Sequence, residues 1–408
     1  MKKEYCFAPG KHRVCPICGY SRPRLLFRQI FSEISSSSLM KGYDVVVCSK
    51  CGFVFADIIP KQVEFDRHYK EMSKYEYAER SQADARYDLR RFSSLVKELS
   101  PFLPGKSARI LDIGCATGTL LSLFKKKGFK SVTGIDPSPV CGEVAHKEYK
   151  VRVFTGPISR TSAVLSGERP FDCIILSGVL EHIRDIGQTL NSIRELLAPG
   201  GLVAIDVPDA TRFARCPDAP FQQFSTEHIN FFSPLSLSNL LQKHGFRKRA
   251  CRRHDRPQTF GTIMPSVTAI FKKSSDAVLA LPKHDLEGER ELEKYIRTSK
   301  AVENRIAKII AQLVKSSEPV IVWGVGTHTL HLLGAGRLAK VNILAFVDSN
   351  PHCQGRKLAG LPIRPPSWLV THPEPIMISS RVFQTSIENQ IREGLGLQNK
   401  LIKLYSLK

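Results

Sequence analysis

Two cysteine pairs, one glycine-rich turn and a short acid–histidine run are the parts of this 408-residue sequence whose residue types and spacing can do chemistry. Cys15-Pro16-Ile17-Cys18-Gly19 and Cys48-Ser49-Lys50-Cys51-Gly52 are both Cys-x-x-Cys-Gly turns. A two-residue spacer lets both thiolates of a turn face one point, and the glycine relieves the tight backbone that follows. Tetrahedral Zn²⁺ takes four soft ligands at about 2.3 Å. The two turns, with 29 residues between Cys18 and Cys48, are therefore expected to form one closed four-cysteine site. A site closed by four thiolates makes zinc structural. The competing reading is two redox dithiols, but neither turn opens a clear βα unit.

The glycine turn is Asp112-Ile113-Gly114-Cys115-Ala116-Thr117-Gly118, between an apolar stretch from Arg109 and a helical pattern over Thr119–Lys127. A glycine turn between strand and helix lets backbone approach a ligand and aims helix N–H groups at it. A second apolar stretch, Val132–Ile135, ends in Asp136, 24 residues after Asp112. An acid there is placed to hydrogen-bond a ribose diol. The bland reading of Asp112 is a strand-end cap. For proton transfer the candidates are His182, which follows a fourth strand, and Glu227 and His228, which follow a fifth. Histidine titrates near neutrality and a neighbouring carboxylate raises its basicity. The alternatives are scaffold for His182 and a loop-to-helix cap before Ser233-Pro234-Leu235 for the other two.

These residues need elements to position them. Residues 1–56 are β-like and carry the cysteine pairs, and 57–106 read as a polar helical connector. Over 107–272 apolar strands (Ala108–Ile113, Ser131–Ile135, Phe171–Leu176, Leu202–Val207) alternate with helical stretches, the pattern of a parallel α/β sheet. Residues 273–317 read as a linker, over 273–290, and a helix, over roughly 289–316, with Leu292, Ile296, Val302, Ile306, Ile309, Ile310 and Leu313 at helical spacing. A second α/β unit, 318–408, begins at Val320-Ile321-Val322-Trp323 and continues through Ile343–Val347, Ile376–Ser379 and Leu401–Tyr405. Its own turn, Gly324-Val325-Gly326-Thr327-His328, with Asp348 ending the next strand, reads either as a nucleotide site or as a scaffold that closes over substrate.

Bulk composition narrows the class. At roughly 100–200 residues per domain the length predicts two to four domains. Hydrophobic residues make up 42%, enough for ordinary cores. No apolar stretch follows Met1-Lys2-Lys3, and no apolar run approaches the ~20 residues that span a bilayer. A cytoplasmic protein without a transmembrane segment is the expectation. Eleven cysteines, four of them paired, favour a metal site plus free thiols over a disulfide framework. A formal net charge of +22 favours anionic partners. It clusters at Lys125–Lys127 and Arg247–Arg256, without the interleaved aromatics of a single-strand binding surface.

The glycine turn, with its acid before Gly114 and Ala116 in the middle, resembles the first motif of class I S-adenosylmethionine-dependent methyltransferases. Phe171-Asp172-Cys173-Ile174-Ile175, Val179-Leu180-Glu181-His182-Ile183 and Leu197-Ala198-Pro199-Gly200-Gly201 resemble that family's later segments in order. The resemblance implies a Rossmann-like core that binds S-adenosylmethionine, with Asp112, Gly114, Cys115, Ala116 and Gly118 beside the methionine part, Asp136 on the ribose, and Ser138 and Ile158 near the adenine. The order of zinc knuckle, core and second Rossmann-like unit is further similar to the sugar C-methyltransferases of deoxysugar biosynthesis. It is joined by Tyr75-Glu76-Tyr77 and by Val347-Asp348-Ser349-Asn350-Pro351, Gly355-Arg356 and Gly360-Leu361-Pro362-Ile363. That similarity implies a small-molecule acceptor, a nucleotide-linked keto-sugar, methylated at a carbon after a base removes the adjacent proton, with zinc structural. The family's run Tyr-His-Glu-His reads Ser225-Thr226-Glu227-His228 here, so a proposed acid/base tyrosine is missing. Methylation of other sugars or glycan precursors, possibly on oxygen, stays open, as does a nucleic-acid acceptor.

Overall fold

The computed structural model describes residues 12–35, 39–71, 82–216, 218–257, 262–274 and 281–406; Tyr75-Glu76-Tyr77 lies outside them. Three sheets organise the chain. The first is made of β1 (Arg24–Ile30), β2 (Gly42–Val47), β3 (Val54–Asp57) and a two-residue strand, β9 (Asn230–Phe231), that arrives from far along the chain. Its order is β1-β2-β3-β9, all antiparallel.

The central sheet holds β4 (Arg109–Ile113), β5 (Ser131–Asp136), β6 (Arg152–Thr155), β7 (Phe171–Ser177), β8 (Leu197–Pro208), β10 (Phe246–Pro257) and β11 (Ile263–Lys273). The order is β10-β11-β8-β7-β4-β5-β6. The five strands β4–β8 run parallel, and β10 and β11 add an antiparallel hairpin. Covered on both faces, the middle strands read as nearly continuous apolar runs, the signature of a parallel sheet. The four strands expected from sequence stand within a few residues of their predicted bounds. The hairpin has no such signature, because its outer strand, with Arg247, Lys248, Arg249, Arg252 and Arg253, is a cationic edge.

The third sheet collects β12 (Val320–Trp323), β13 (Ile343–Val347), β14 (Lys357–Leu358), β15 (Leu361–Arg364), β16 (Ile376–Ile378) and β17 (Leu401–Lys403), ordered β14-β15-β13-β12-β16-β17. Without the short β14 its parallel order repeats that of β6-β5-β4-β7-β8. The first strand is central, the second and third lie to one side, and the fourth and fifth to the other.

Three helices bear on the site: α1 (Gln62–Glu71) and α2 (Gln82–Leu99) before the central sheet, and α3 (Thr119–Lys126) after the glycine turn. The long helix Leu286–Ser316 starts three residues earlier than its apolar spacing suggests. Asp285 caps it, accepting from the Gly288 N–H. The same residue ties the start of the helix to two other segments. The Asp285 N–H donates to the Cys51 carbonyl at 2.9 Å, and the Ser233 hydroxyl donates to the Asp285 carboxylate. No helix among the described residues is long and apolar enough to cross a membrane.

One apolar core joins the first sheet, the long helix, the third sheet and the segment 210–231 that leaves the central sheet. Its middle is aromatic. Phe27 stacks on Phe221 with ring centroids 4.2 Å apart, and Phe224 meets Phe231 and Tyr295 edge-on at 5.0 and 5.3 Å. Truncating the fully buried Phe224 to alanine removes contacts to the first sheet and the long helix at once. Phe224→Ala is expected to cost about 3–5 kcal/mol, read as a lowered urea midpoint with an unchanged slope.

Candidate functional site

The glycine turn leaves β4 through three left-handed residues, Gly114 (φ 70°), Ala116 (φ 45°) and Gly118 (φ 77°). Left-handed backbone is free for glycine and costs an alanine of order 1–3 kcal/mol. Ala116 is held there because its N–H donates to Asp136 Oδ2 at 2.8 Å. The Gly114 N–H donates to the Ile135 carbonyl at 2.8 Å, and the Ser138 N–H to Asp136 Oδ1 at 3.0 Å. The acid ending β5 thus braces the turn after β4. A Cβ on Gly114 would lie 2.7 Å from Val179 Cγ2 and 3.5 Å from Ile158 Cδ1, so only glycine lets the turn pack between them. The Cys115 side chain turns into the core against Gly134, leaving only its backbone at the turn. Ser138, fully buried, caps the helix Pro139–Tyr149 by accepting from the Cys141 N–H.

Asp112 is 3% exposed. Burial pushes its carboxyl up to about 8, the neighbouring Asp136 charge adds to this, and Arg91 opposes it. Arg91, on α2, belongs to a knot at the carboxyl ends of β7 and β8. Its Nε donates to Asp206 Oδ2 at 3.1 Å and its NH2 to Ser177 Oγ at 2.6 Å. Arg256 donates twice to Asp206, at 2.8 Å each. Two guanidinium groups on one buried carboxylate hold it well below the ordinary range despite burial, and they leave an excess positive charge beside the turn. Sequence reading missed this knot. Its members come from four elements, α2, β7, β8 and β10, with no spacing in common.

His182, Glu227 and His228 come together. The His182 and His228 rings meet edge-to-face at 4.8 Å, and His182 Nδ1 lies 3.1 Å from the Glu227 carbonyl. Donor atoms of Glu181, His182 and His228 all lie within 4.8 Å of one another. The Ser225 hydroxyl accepts from the Glu227 and His228 N–H groups, at 3.3 and 3.1 Å. A residue absent from the sequence reading joins them: the Tyr69 hydroxyl, from α1, sits 3.0 Å from His182 Nδ1. Asn230 fixes both segments. Its Nδ2 donates to the Leu180 and Ile183 carbonyls at 3.1 and 2.7 Å, and its Oδ1 accepts from Arg13 at 3.1 Å.

The four cysteines also converge. Cys15 Sγ is 3.5 Å from Cys51 Sγ, Cys18 Sγ is 3.3 Å from Cys48 Sγ, and all four lie within 4.8 Å of one another. Thiolates about 2.3 Å from a tetrahedral ion sit roughly 3.8 Å apart, so the cluster is of a size to hold one metal ion.

The third sheet repeats the wiring of the first glycine turn. The Gly324 N–H donates to the Val347 carbonyl at 2.8 Å, and Asp348 accepts from the Val325 and Asn350 N–H groups at 2.8 Å each.

Residues 82–250 match a family described as a methyltransferase domain. The chain is 24% identical over 337 residues to the C-methyltransferase NovU of Streptomyces niveus, covering 81% of this chain and 77% of that protein. It is 33% identical over 105 residues to the ubiquinone biosynthesis O-methyltransferase of Caulobacter sp. (strain K31), a match covering 25% of this chain and 41% of that protein. The chain therefore spans less than half the length of that relative. Among solved structures, the 1,6-didemethyltoxoflavin-N1-methyltransferase of Burkholderia thailandensis, bound to S-adenosylhomocysteine, covers 56% of this chain and 98% of its own, at 21% identity and a TM-score of 0.41.

The raised Asp112 carboxyl has a thermodynamic consequence. In the unfolded chain it titrates near the ordinary 3.8, and in the fold near 8. The folded state therefore keeps a proton that the unfolded state loses, and stability drains away as pH rises between those two values. In Asp112→Asn this drain is absent. The stability of the variant relative to wild type, measured by urea melts, is expected to grow from pH 4 to pH 8 and then level off. The glycine turn, the strand order behind it and the match over 82–250 identify a class I S-adenosylmethionine-dependent methyltransferase domain within this chain.

Proposed function

We propose that the acceptor is a nucleotide-linked sugar or a related glycan precursor, methylated in the space bordered by the glycine turn, the 179–183 segment and the 225–230 segment. The observation that carries this reading is the convergence of His182, Glu227 and His228 beside Val179, which itself packs on Gly114. The similarity to NovU over 81% of the chain supports it.

Asp112, Gly114, Cys115, Ala116, Gly118, Asp136 and Ser138 are assigned to the cofactor. The turn fits it. Gly114 offers bare backbone where a side chain would collide with Val179, and Asp136 is a carboxylate with about four acceptor positions, two of which take the Ala116 and Ser138 N–H groups. When bound, S-adenosylmethionine supplies an already activated methyl group on a sulfonium. What remains for the protein is to align the nucleophile and take its proton. His228, with Glu227 adjacent, is assigned the base that removes the proton beside the acceptor's carbonyl. The resulting enolate carbon takes the methyl as the carbon–sulfur bond breaks, leaving S-adenosylhomocysteine and the regenerated ketone. His182 is assigned to the same site.

The test is a screen for transfer of isotopically labelled methyl to nucleoside-diphosphate-linked sugars, with DNA and RNA oligonucleotides alongside. Methylation of a keto-sugar is expected, with turnover falling about 10²–10⁴-fold in His228→Ala and substantially in Glu227→Ala. Full turnover in both variants would discard the assigned roles. A second reading, methyl transfer to nucleic acid, draws on the exposed cations of β10, and methylation of the oligonucleotides alone would establish it in place of the first.

Cys15, Cys18, Cys48 and Cys51 are assigned one structural Zn²⁺. One zinc per chain is expected by elemental analysis. Cys48→Ser should lose it and melt at a lower temperature, and a metal-free wild-type chain of unchanged stability would count against the assignment.

A further inference from the structure

Tyr69 reaches the site from an element that sequence comparison of the 225–228 run does not consider. Helix α1 lies across the site and is fastened at three points. Gln62 Oε1 accepts from the Arg184 and Asp185 N–H groups, at 3.0 Å each. Asp66 Oδ2 accepts from the Ser159 hydroxyl at 2.6 Å, next to the Ile158 that flanks Gly114. Phe65 is fully buried. These ties bring Tyr69 to the same edge of the central sheet as the glycine turn and His182.

The His182 tautomer decides where the Tyr69 proton points. A backbone carbonyl only accepts, so a hydrogen bond from His182 Nδ1 to the Glu227 carbonyl, 3.1 Å away, needs the tautomer with its proton on Nδ1. The Tyr69 oxygen lies 3.0 Å from that same nitrogen. In that tautomer the N–H donates and the phenol accepts, and the phenolic hydrogen is turned away from His182. A hydroxyl whose oxygen already accepts from a fixed imidazole is an oriented donor for something else.

We infer that Tyr69 is a catalytic hydrogen-bond donor for the acceptor's reacting oxygen, supplying from α1 the phenol that Ser225 and Thr226 do not provide. This rests on the assignment of His182 to the methyl-transfer site. In the proposed reaction the carbonyl oxygen gains negative charge as the base removes the neighbouring carbon's proton, and the phenol stabilises that charge without surrendering its own proton. The methyl then joins carbon, the ketone returns, and no proton needs to be restored to oxygen. Burial, with the charges of Glu227 and Glu181 behind it, holds the phenol protonated well above its ordinary value, which suits a donor and not a base.

Two measurements test this. The first is ¹⁵N NMR of the histidine rings in the full chain with S-adenosylhomocysteine added, His182 being assigned by its loss in His182→Asn. A protonated Nδ1 is expected. A bare Nδ1 with the proton on Nε2 would mean that Tyr69 spends its hydrogen on His182, and would overturn the inference. The second is labelled-methyl turnover of thymidine-diphosphate-linked 4-keto-6-deoxyhexose by Tyr69→Phe. A fall in kcat of about 10²-fold is expected, with S-adenosylhomocysteine affinity by calorimetry unchanged. Turnover within threefold of wild type, or a change confined to KM, would overturn it. If wild type itself fails on the keto-sugar, the proposed acceptor is wrong and the His182 tautomer alone decides the role of Tyr69.

Discussion

A single buried guanidinium holds together the parts that the chemistry requires. Arg13 is 5% exposed, and burial lowers it to about 9, with the Arg184 charge pushing the same way. It donates to the carbonyls of Ala56, Ile229 and Arg184 at 3.1, 3.3 and 2.8 Å and to Asn230 Oδ1 at 3.1 Å, while its own N–H donates to Asp57 at 2.6 Å. A buried cation is costly unless it is well bonded, so this knot either forms completely or not at all. It links β3, the turn after His182 and the strand that follows His228. Since Cys15 is two residues along, the cysteine cluster fixes where Arg13 enters. The N-terminal sheet is thus part of the frame of the site, and a metal ion there would act on chemistry only through this geometry.

The central and third sheets show how one backbone device serves different ends. Both have a central first strand, a glycine turn and an acid on the next strand that accepts two backbone N–H groups. Their surroundings differ. Around Gly114 the turn is flanked by Val179 and Ile158, and the histidine cluster follows directly from Val179. Around Gly324 a Cβ would find only Ser379 and Ser380, at 3.9–4.0 Å, and Gly326 faces open space. Turn wiring is therefore a property of the strand–turn–helix unit. What the unit does is set by the segments packed on it, which come from elsewhere in the chain.

This explains which features the sequence made legible. The cysteine turns, the strand-to-glycine transition at 112–118 and Asp136 are local patterns, and each is readable from spacing alone. The histidines and Glu227 are picked out by the order of strands before them, and the structure brings His182, the Glu227 carbonyl and His228 together. Arg13, Arg91 and Tyr69 are not. Each sits in a polar stretch with no periodic partner, and each acquires its role only when distant segments dock. The stretch before the long helix looks like a linker because it is polar and lacks apolar periodicity. Asp285 at its end is bonded to the Cys51 carbonyl and to Ser233, contacts that leave no compositional trace.

The same point bears on the missing tyrosine of the 225–228 run. A reacting oxygen is addressed by a donor at a position in space, and a position in space can be reached from any element that passes close by. Here the backbone around Ser225 is used for something else. Its hydroxyl accepts from the Glu227 and His228 N–H groups and tightens the loop that presents both side chains. A bulky phenol at 225 would forfeit that turn, which a small hydroxyl residue closes well. With the role proposed for Tyr69, the serine and the phenol of α1 are complementary: one closes the loop carrying the acid and the histidine, and the other would supply the donor from a different element. Comparing the run residue by residue reads this as a loss, whereas the proposed role of Tyr69 makes it a division of labour between two segments.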